Sequence, residues 1–354
     1  MSVNRKRPFK RWVNQEEANI LDDLKAFEKS CKNQGLNPEQ VKHGWFKSKE
    51  TSLFVKNPNF KSEEAKHAEI FKANLLKEIK NYSPKYPKVR RVKTNDGHLL
   101  VIDIADLHIN KYAEAYLTGN EYNSQIAVER AISGVKGIIQ KSNGFNIDKI
   151  LFVIGNDVLN TDNMSNTTTK GTLQDIDVHW FKAFNIAKDC YIKCIELCMQ
   201  IADVDIIHCP SNHDFMSGCF LAETLSAWFR KSKNVSFNTS PSYRKYYQYF
   251  NNMIELEHGD KGKLSNLPLV MAQEQPKMWA NTKFRYSYLH HVHHSDKTSF
   301  KSGKDYIGAN VTYLRSPSSA DIWHSDNQFL NLVAVEGFVH SKEMGRVSQI
   351  THYF

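Results

Sequence analysis

Four histidines lie within ten residues, 287–296, and they are the side chains of this chain best suited to bind a transition metal. Imidazole nitrogens are common ligands of divalent transition metals. The run follows an alternating aromatic segment, Lys283–Leu289, which predicts a strand. Because side chains alternate across a strand, His291 and His293 would present their rings on one face. Taken alone, the run is also typical of a solvated loop.

Residue types that bind metals also follow other predicted strands, each at its carboxyl end. In open α/β sheets this edge is where ligands bind. Each short motif alone is common by chance, whereas five such motifs at five strand ends favour a metal site at that edge. The residues are Asp106 and His108 after a strand at 98–105, Asp157 after 149–154, Asn212, His213 and Asp214 after 204–209, His258 after 253–257, and the pair His291 and His293.

The elements that must position these side chains alternate along the chain. Apolar segments of strand length are separated by amphipathic segments that predict helices at 124–141, 177–202 and 221–231. Further strands are predicted from Phe329 onwards. This alternation indicates an α/β core with a partly parallel sheet.

The motifs D-x-H, G-N-D, N-H-D, H and H-x-H, in this order over residues 98–293, resemble those of the calcineurin-like metallophosphoesterases. The resemblance implies an α/β fold, a four-layer α/β/β/α sandwich, with a two-metal centre. It assigns Asp157 as the bridge between both metals. It assigns the other ligands as Asp106, His108 and His293 for the first metal, and Asn212, His258 and His291 for the second.

The resemblance also implies a metal-dependent phosphoesterase, in which a hydroxide that bridges the metals attacks phosphorus. His213 would act as general acid for the leaving group, and Asp214 would orient it. Two divalent transition-metal ions are expected, because mixed nitrogen and oxygen ligands suit them better than Mg or Ca. Manganese is the first choice, with Fe, Zn or Ni as alternatives.

The sequence departs from the family pattern at three places. Ser211 and His290 stand where the family has glycine, and Gly155-Asn156-Asp157 has the spacing found in the repair nucleases of the superfamily. The Asp-Arg-Gly of the protein serine/threonine phosphatases does not follow Asp157, which argues against that branch. Neither His290 nor His294 receives a role. Lys170 lies on a polar loop that either holds phosphate oxygens or has no such role.

The positive charge of the chain is concentrated in its first quarter. Residues 1–95 contain 22 of the 47 Lys and Arg residues and 11 of the 38 Asp and Glu residues, so they carry +11 and the remainder carries −2. We interpret 1–95 as a basic, mostly helical accessory region and linker, and 96–354 as the catalytic domain. A polyanion such as nucleic acid is the expected partner. Trp45, Phe46 and Phe54 would either stack on bases or form the core of this region.

Several classes of protein are excluded by composition. No run of 18 apolar residues exists, so no membrane span is expected, and the basic N-terminus lacks the apolar core of a secretory signal. The six cysteines have no disulfide-framework or CxxC spacing, which favours reduced thiols and a cytoplasmic location, in a bacterium or a phage-infected cell. The sequence does not set the oligomeric state, and a homodimer is among the options.

The function predicted first is a nuclease or other phosphodiesterase that acts on nucleic acid. The chain is similar overall to the metallophosphoesterases of phages and prophages that resemble DNA repair exonucleases. Two alternatives are a phosphatase or diesterase of small nucleotides, and a metal-bearing phage-type binding or assembly protein with little catalysis.

Overall fold

The computed structural model describes residues 27–38, 41–47, 52–57, 60, 62–81, 86, 95–291, 303–319 and 332–354. It divides into two compact units, residues 1–78 and 79–354. His293, His294 and the basic arm at 1–12 lie outside the described residues. No helix in the described ranges is long and apolar enough to cross a membrane.

The first unit contains a helical segment at 27–33 and an antiparallel hairpin of β1 (His43–Lys47) and β2 (Ser52–Lys56). Helix α1 (Glu63–Asn81) begins in this unit and continues past its boundary. The rings of Trp45 and Phe54 on the hairpin are 5.2 Å apart. Trp45 is 63% exposed, which does not fit a position in a core.

The second unit is built on a six-stranded sheet. Four of its strands are parallel: β3 (His98–Asp103), β4 (Ile147–Gly155), β5 (Asp203–Cys209) and β6 (Val235–Asn238). Two antiparallel strands, β12 (Ala334–Ser341) and β13 (Gly345–Tyr353), extend the sheet beside β3. The order is β13-β12-β3-β4-β5-β6.

A second sheet has five strands in the order β10-β11-β9-β8-β7. Its strands are β7 (Lys245–Tyr249), β8 (Asn252–Glu257), β9 (Phe284–Leu289), β10 (Gly303–Tyr306) and β11 (Ala309–Tyr313). Strands β8, β9 and β11 are mutually parallel. Their carboxyl ends therefore lie at one edge of this sheet.

The two sheets pack face to face over an apolar core, and helices cover their outer faces. Val101 and Leu151 of the first sheet meet Leu256 and Tyr288 of the second in this core. Helices α3 (Ser124–Lys141), α4 (Trp180–Met199) and α5 (Phe215–Trp228) cover the first sheet. Helices α6 (Leu267–Glu274) and α7 (Pro276–Asn281) pack on the second. The predicted four-layer α/β/β/α sandwich is confirmed.

Some elements differ from the predictions. Helix α5 begins at Phe215, six residues before the predicted start. Helices α6 and α7, strands β10 and β11, and the one-turn helix α2 (Ala115–Thr118) were not predicted. Proline lies in the first turn of both α6 and α7, where its missing N–H costs nothing.

Candidate metal centre

The loops that leave strands β3, β4 and β5 are hydrogen-bonded to one another beyond the ends of the strands. The amides of Asp106 and His108 donate to the carbonyls of Asn156 (2.8 Å) and Asp157 (2.9 Å). The amide of Asn156 in turn donates to the carbonyl of Cys209 (2.9 Å). The expected ligand residues are therefore held on a continuous backbone network.

Left-handed backbone is concentrated in the loops after β3 and β4 and occurs again at His291, after β9. Positive φ at residues other than glycine is uncommon and costs free energy, and it recurs at functional sites. Gly155, at φ 99°, immediately precedes Asn156 in the loop after β4, and a Cβ there would lie 2.1 Å from the carbonyl oxygen of Cys209. The centre is thus built on backbone that few residue types tolerate. The positive-φ residues here are Asp106 (48°), His108 (48°), Asn110 (70°), Asn156 (54°), Asp157 (60°) and His291 (66°).

Two groups of possible ligand atoms share one carboxylate. His108, Asp157 and His213 form the first group, and Asp157, His258 and His291 form the second. Within each group the ligand atoms all lie within 4.8 Å of one another. Asp157 is only 1% exposed. A shared, buried carboxylate is the feature that a pair of neighbouring cations requires, because it places negative charge between them.

The other predicted ligands lie around these groups. Nε2 of His258 is 2.6 Å from Oδ1 of Asn212 and 3.2 Å from Oδ2 of Asp157. Oδ2 of Asp106 accepts a hydrogen bond from the amide of His291 (3.2 Å). Asp106 belongs to neither group, and the contribution expected from His293 stays a prediction, since that residue is outside the described ranges.

His213 lies in the centre, but its contacts differ from those expected. Its Nδ1 is 3.1 Å from the carbonyl oxygen of Asn160, and its amide donates to Oδ1 of Asp157 (2.9 Å). The carboxylate of Asp214 accepts from the amide of Leu159 (2.9 Å) and from the Ser211 hydroxyl (2.6 Å). Nδ1 of His213 therefore contacts the Asn160 carbonyl, whereas the sequence predicted that Asp214 orients this ring. A backbone carbonyl leaves no sequence signal.

Ser211 and His290, which replace family glycines, both form hydrogen bonds with residues beside the centre. The Ser211 hydroxyl accepts from the amide of Asp157 (2.8 Å) while it donates to Asp214. His290 is fully buried, and its Nε2 lies 2.9 Å from Oδ2 of Asp103. Sequence reasoning gave neither side chain a role, because Asp157 is 54 residues from Ser211 and Asp103 is 187 residues from His290.

Burial and neighbouring charges shift the pKa values of the carboxyl and imidazole groups in the centre. Burial raises the pKa of Asp106 to about 6. Burial also opposes ionisation of Asp157, but His258 and then His213 hold the pKa of this carboxyl well below its usual value. In His258 burial lowers the pKa, yet Asp157 outweighs it and raises the pKa to about 9. Asp157 is therefore an anion throughout the neutral range.

The donor set fits a pair of transition-metal ions. Imidazole nitrogens and a carboxylate converge from five strand ends, and Asp157 belongs to both groups. Among the described residues, Oδ1 of Asp106 and Nδ1 of His258 are buried atoms without a hydrogen-bond partner. Buried polar atoms without a protein partner are costly, and a metal ligand is one explanation for them. The cluster has the composition of a dinuclear phosphoesterase centre.

A cleft of about 130 Å³ lies beside Asn212. Two lysines, Lys170 and Lys261, and two aromatic rings, Phe215 and Tyr243, are among its lining residues. The ammonium of Lys261 lies 4.3 Å from the centroid of the Tyr243 ring. The cleft thus combines positive charge with aromatic surface next to the metal centre.

Comparisons with known proteins give only distant similarities. No family model and no curated protein matches the chain. Among solved structures, a dimetal phosphatase from Danio rerio is similar at 11% identity and a TM-score of 0.38, covering 72% of this chain and 99% of its own. Vps29 proteins from Entamoeba histolytica and Chaetomium thermophilum are similar at 12% identity and TM-scores of 0.27. They cover 72% of this chain and 99% and 93% of their own.

At these values the assignment of the centre rests on the geometry of the chain itself. Apart from His293, which is outside the described residues, the five motifs follow the strand ends expected for them, and the two packed sheets bring all five of those ends together. The four-layer sandwich and the shared-carboxylate cluster agree with the fold and the metal centre that the resemblance of the motifs implied.

Proposed function

We propose that the chain hydrolyses phosphodiester bonds of nucleic acid with the help of two divalent transition-metal ions. The observation that carries this proposal is the single buried carboxylate, Asp157, shared by two groups of ligand side chains. Bound there, two cations would supply Lewis acidity toward phosphate oxygens and toward water. Manganese remains the first choice, as the ligand types suggest.

The protein groups would divide the work by their charge and position. Asp157 would hold both cations, with His108 on one side and His258 and His291 on the other. The Asn212 amide oxygen, 2.6 Å from Nε2 of His258, would complete the second group. Because these side chains come from buried strand ends, little reorganisation is needed when charge develops on phosphate.

His213 would donate the proton that the leaving alkoxide needs. A carbonyl oxygen can only accept, so the contact with Asn160 requires the proton of the neutral ring to lie on Nδ1. Nε2 is then the atom that exchanges a proton with the substrate when the ring is charged. Since His213 also lies within ligand distance of His108 and Asp157, the competing assignment is a metal ligand.

The features that support nucleic acid as substrate are positive charge and exposed aromatic rings. Lys170 and Lys261 line the cleft, where their ammonium groups would attract phosphate, and the exposed face of Phe215 could stack on a base. In the other unit the exposed ring of Trp45 lies on a hairpin within the basic segment of the chain. Stacking and charge together are typical of proteins that bind single strands.

The test is hydrolysis by the full chain with Mn²⁺ of bis-p-nitrophenyl phosphate, single-stranded DNA and double-stranded DNA. We expect cleavage of the activated diester and of DNA, and weaker DNA cleavage in the charge-neutral variant K170Q. The variant K304Q, at an exposed lysine of β10, is the control. Protein that holds metal and cleaves none of the three compounds would refute the proposal.

The role of His213 is tested by comparing leaving groups. Nitrophenolate leaves without a proton, whereas a nucleoside alkoxide requires one. H213A should therefore lose about 10²- to 10⁴-fold in kcat on DNA, far less on the nitrophenyl diester, and still bind two Mn²⁺. Loss of one bound ion would instead identify His213 as a ligand.

A phosphatase or diesterase of small nucleotides is the second candidate. The small size of the cleft beside Asn212, about 130 Å³, favours it. A kcat/KM for nucleoside monophosphates or cyclic nucleotides that exceeds the value for DNA would select this function.

A further inference from the structure

His290 immediately precedes the ligand His291 and follows the last residue of β9, Leu289. Its side chain is fully buried between the two sheets. Family sequences have glycine here, which usually indicates left-handed backbone. His290 does not have positive φ, whereas His291 does, at 66°. The backbone at residue 290 therefore tolerates a side chain, and in this protein that side chain is an imidazole.

Four contacts join His290 to the ends of three other strands. Its amide donates to the carbonyl of His258 (3.1 Å), and Nδ1 donates to the carbonyl of Glu257 (3.0 Å). Nε2 lies 2.9 Å from Oδ2 of Asp103 and 3.1 Å from the side-chain amide nitrogen of Asn156. The ring thus reaches β8 in its own sheet and both β3 and β4 in the other.

Each of these strand ends carries an expected metal ligand. Asp103 is the last residue of β3 and lies three residues before Asp106. Asn156 immediately precedes Asp157, and Glu257 immediately precedes His258. Because one imidazole contacts all three, any shift of one sheet against the other along this edge would stretch its hydrogen bonds. The distances between the ligands depend on that same alignment.

A polar bridge of this kind is not what stability alone would select. Asp103 is 1% exposed, and its Oδ1 is buried without a hydrogen-bond partner in the described part of the chain. Buried ionisable pairs are often neutral or unfavourable for stability compared with well-packed apolar residues. Directional contacts, in contrast, fix geometry, and groups that orient metal ligands commonly influence metal affinity 10- to 100-fold.

We propose that His290 is a positioning residue that locks the two sheets in the register needed to assemble both metal groups. Its cross-sheet contact with Asp103 is the decisive one, because the contact with Glu257 stays within one sheet. The inference rests on the proposed function insofar as that function requires two metals. It concerns metal binding, which can be measured without any substrate.

Two substitutions at His290 distinguish the contact of Nε2 from that of Nδ1. The amide nitrogen of Gln reaches roughly the position of Nε2, so H290Q retains the contact with Asp103. The amide nitrogen of Asn reaches only the position of Nδ1, so H290N retains the contact with Glu257. Binding of Mn²⁺ to each variant is measured by isothermal titration calorimetry, and the coupling between two bound ions by electron paramagnetic resonance.

His340 provides a matched control. It is also fully buried between the sheets, and its ring contacts the Tyr288 hydroxyl (2.9 Å) and Oδ1 of Asn252 (3.3 Å). It pairs with Leu99, near the start of β3, and therefore lies far along the strand from Asp103. By the same rule, H340N retains the contact of Nδ1 with Asn252 and loses that of Nε2 with Tyr288, without touching the ligand-bearing edge.

We expect H290N to lose Mn²⁺ affinity about 10- to 100-fold and to lose the signal of coupled ions. H290Q should retain both within a few-fold, and H340N should match the unaltered protein. Equal affinity in H290N and H290Q overturns the proposal, as does an equal loss in H340N. Unfolding of both His290 variants, seen by circular dichroism, would show a purely structural role and also overturn it. Two bound Mn²⁺ ions without any ester hydrolysis would refute the proposed function and leave this inference standing.

Discussion

Replacement of Asp157 by Asn tests the electrostatic basis of the centre, because it removes one buried charge and keeps the shape of the side chain. Oδ2 of Asp157 lies 3.2 Å from Nε2 of His258. Burial lowers the pKa of His258, but Asp157, with a smaller contribution from Asp106, raises it to about 9. The rise from 6.5 corresponds to roughly 3 kcal/mol in favour of the charged ring. Without Asp157, burial dominates, and we expect a pKa at or below 6.5.

The assay is a pH titration of histidine side-chain resonances by NMR in metal-free D157N and in the unaltered protein. Asp260 contributes least among the charges that raise the pKa of His258, so D260N is the matched control and should change it little. We also expect D157N to bind fewer than two Mn²⁺ ions. A His258 resonance that still titrates near pH 9 in D157N would refute this account of the centre.

Three further predictions follow from the geometry. Because Mn²⁺ must displace the proton of His258, binding of Mn²⁺ at pH 7 should release about one proton, and the affinity should rise with pH toward 9. Calorimetry in buffers of different ionisation enthalpy measures both quantities, and a pH-independent affinity would contradict this prediction. S211G removes the hydroxyl that joins the Asp157 amide to Asp214 and should lower the free energy of unfolding in urea by about 1–3 kcal/mol. S211T, which keeps a hydroxyl, is the control, and an unchanged urea midpoint in S211G would disprove the role of the hydroxyl. G155A places a Cβ 2.1 Å from the carbonyl oxygen of Cys209, at a residue whose φ is 99°, and should lower the free energy of unfolding by at least about 2 kcal/mol. An unshifted thermal midpoint in G155A would count against this geometry.

The strands of the first sheet and their polar ends could be predicted because both signals are local. The apolar run at 98–105 predicted a strand, which the structure has at His98–Asp103, and Asp106 and His108 follow that strand within five residues. The order of the motifs then supplied the architecture through the resemblance. Local sequence was sufficient wherever a residue's environment is set by its own strand.

Other features depend on contacts between segments that are distant in the chain. The start of α5 was placed too late because the amides of Phe215 and Ser217 are satisfied by Thr169 and Asp162, about 50 residues earlier. His290 received no role because Asp103 lies 187 residues away. No periodicity or spacing reveals such pairs before the sheets are packed.

The backbone network that joins the ligand loops also affects how metal ions can enter and leave. The amides of Asp106, His108 and Asn156 are engaged with neighbouring loops in the manner of strand residues. Opening one loop would therefore break part of the sheet edge, a cooperative event far slower than a side-chain rotation. Metal ions bound here would therefore exchange by rotation of individual side chains at the exposed side of the centre, where His213 and His291 are only partly buried. The side chains at that side, and not opening of the loops, would then set the rate of exchange.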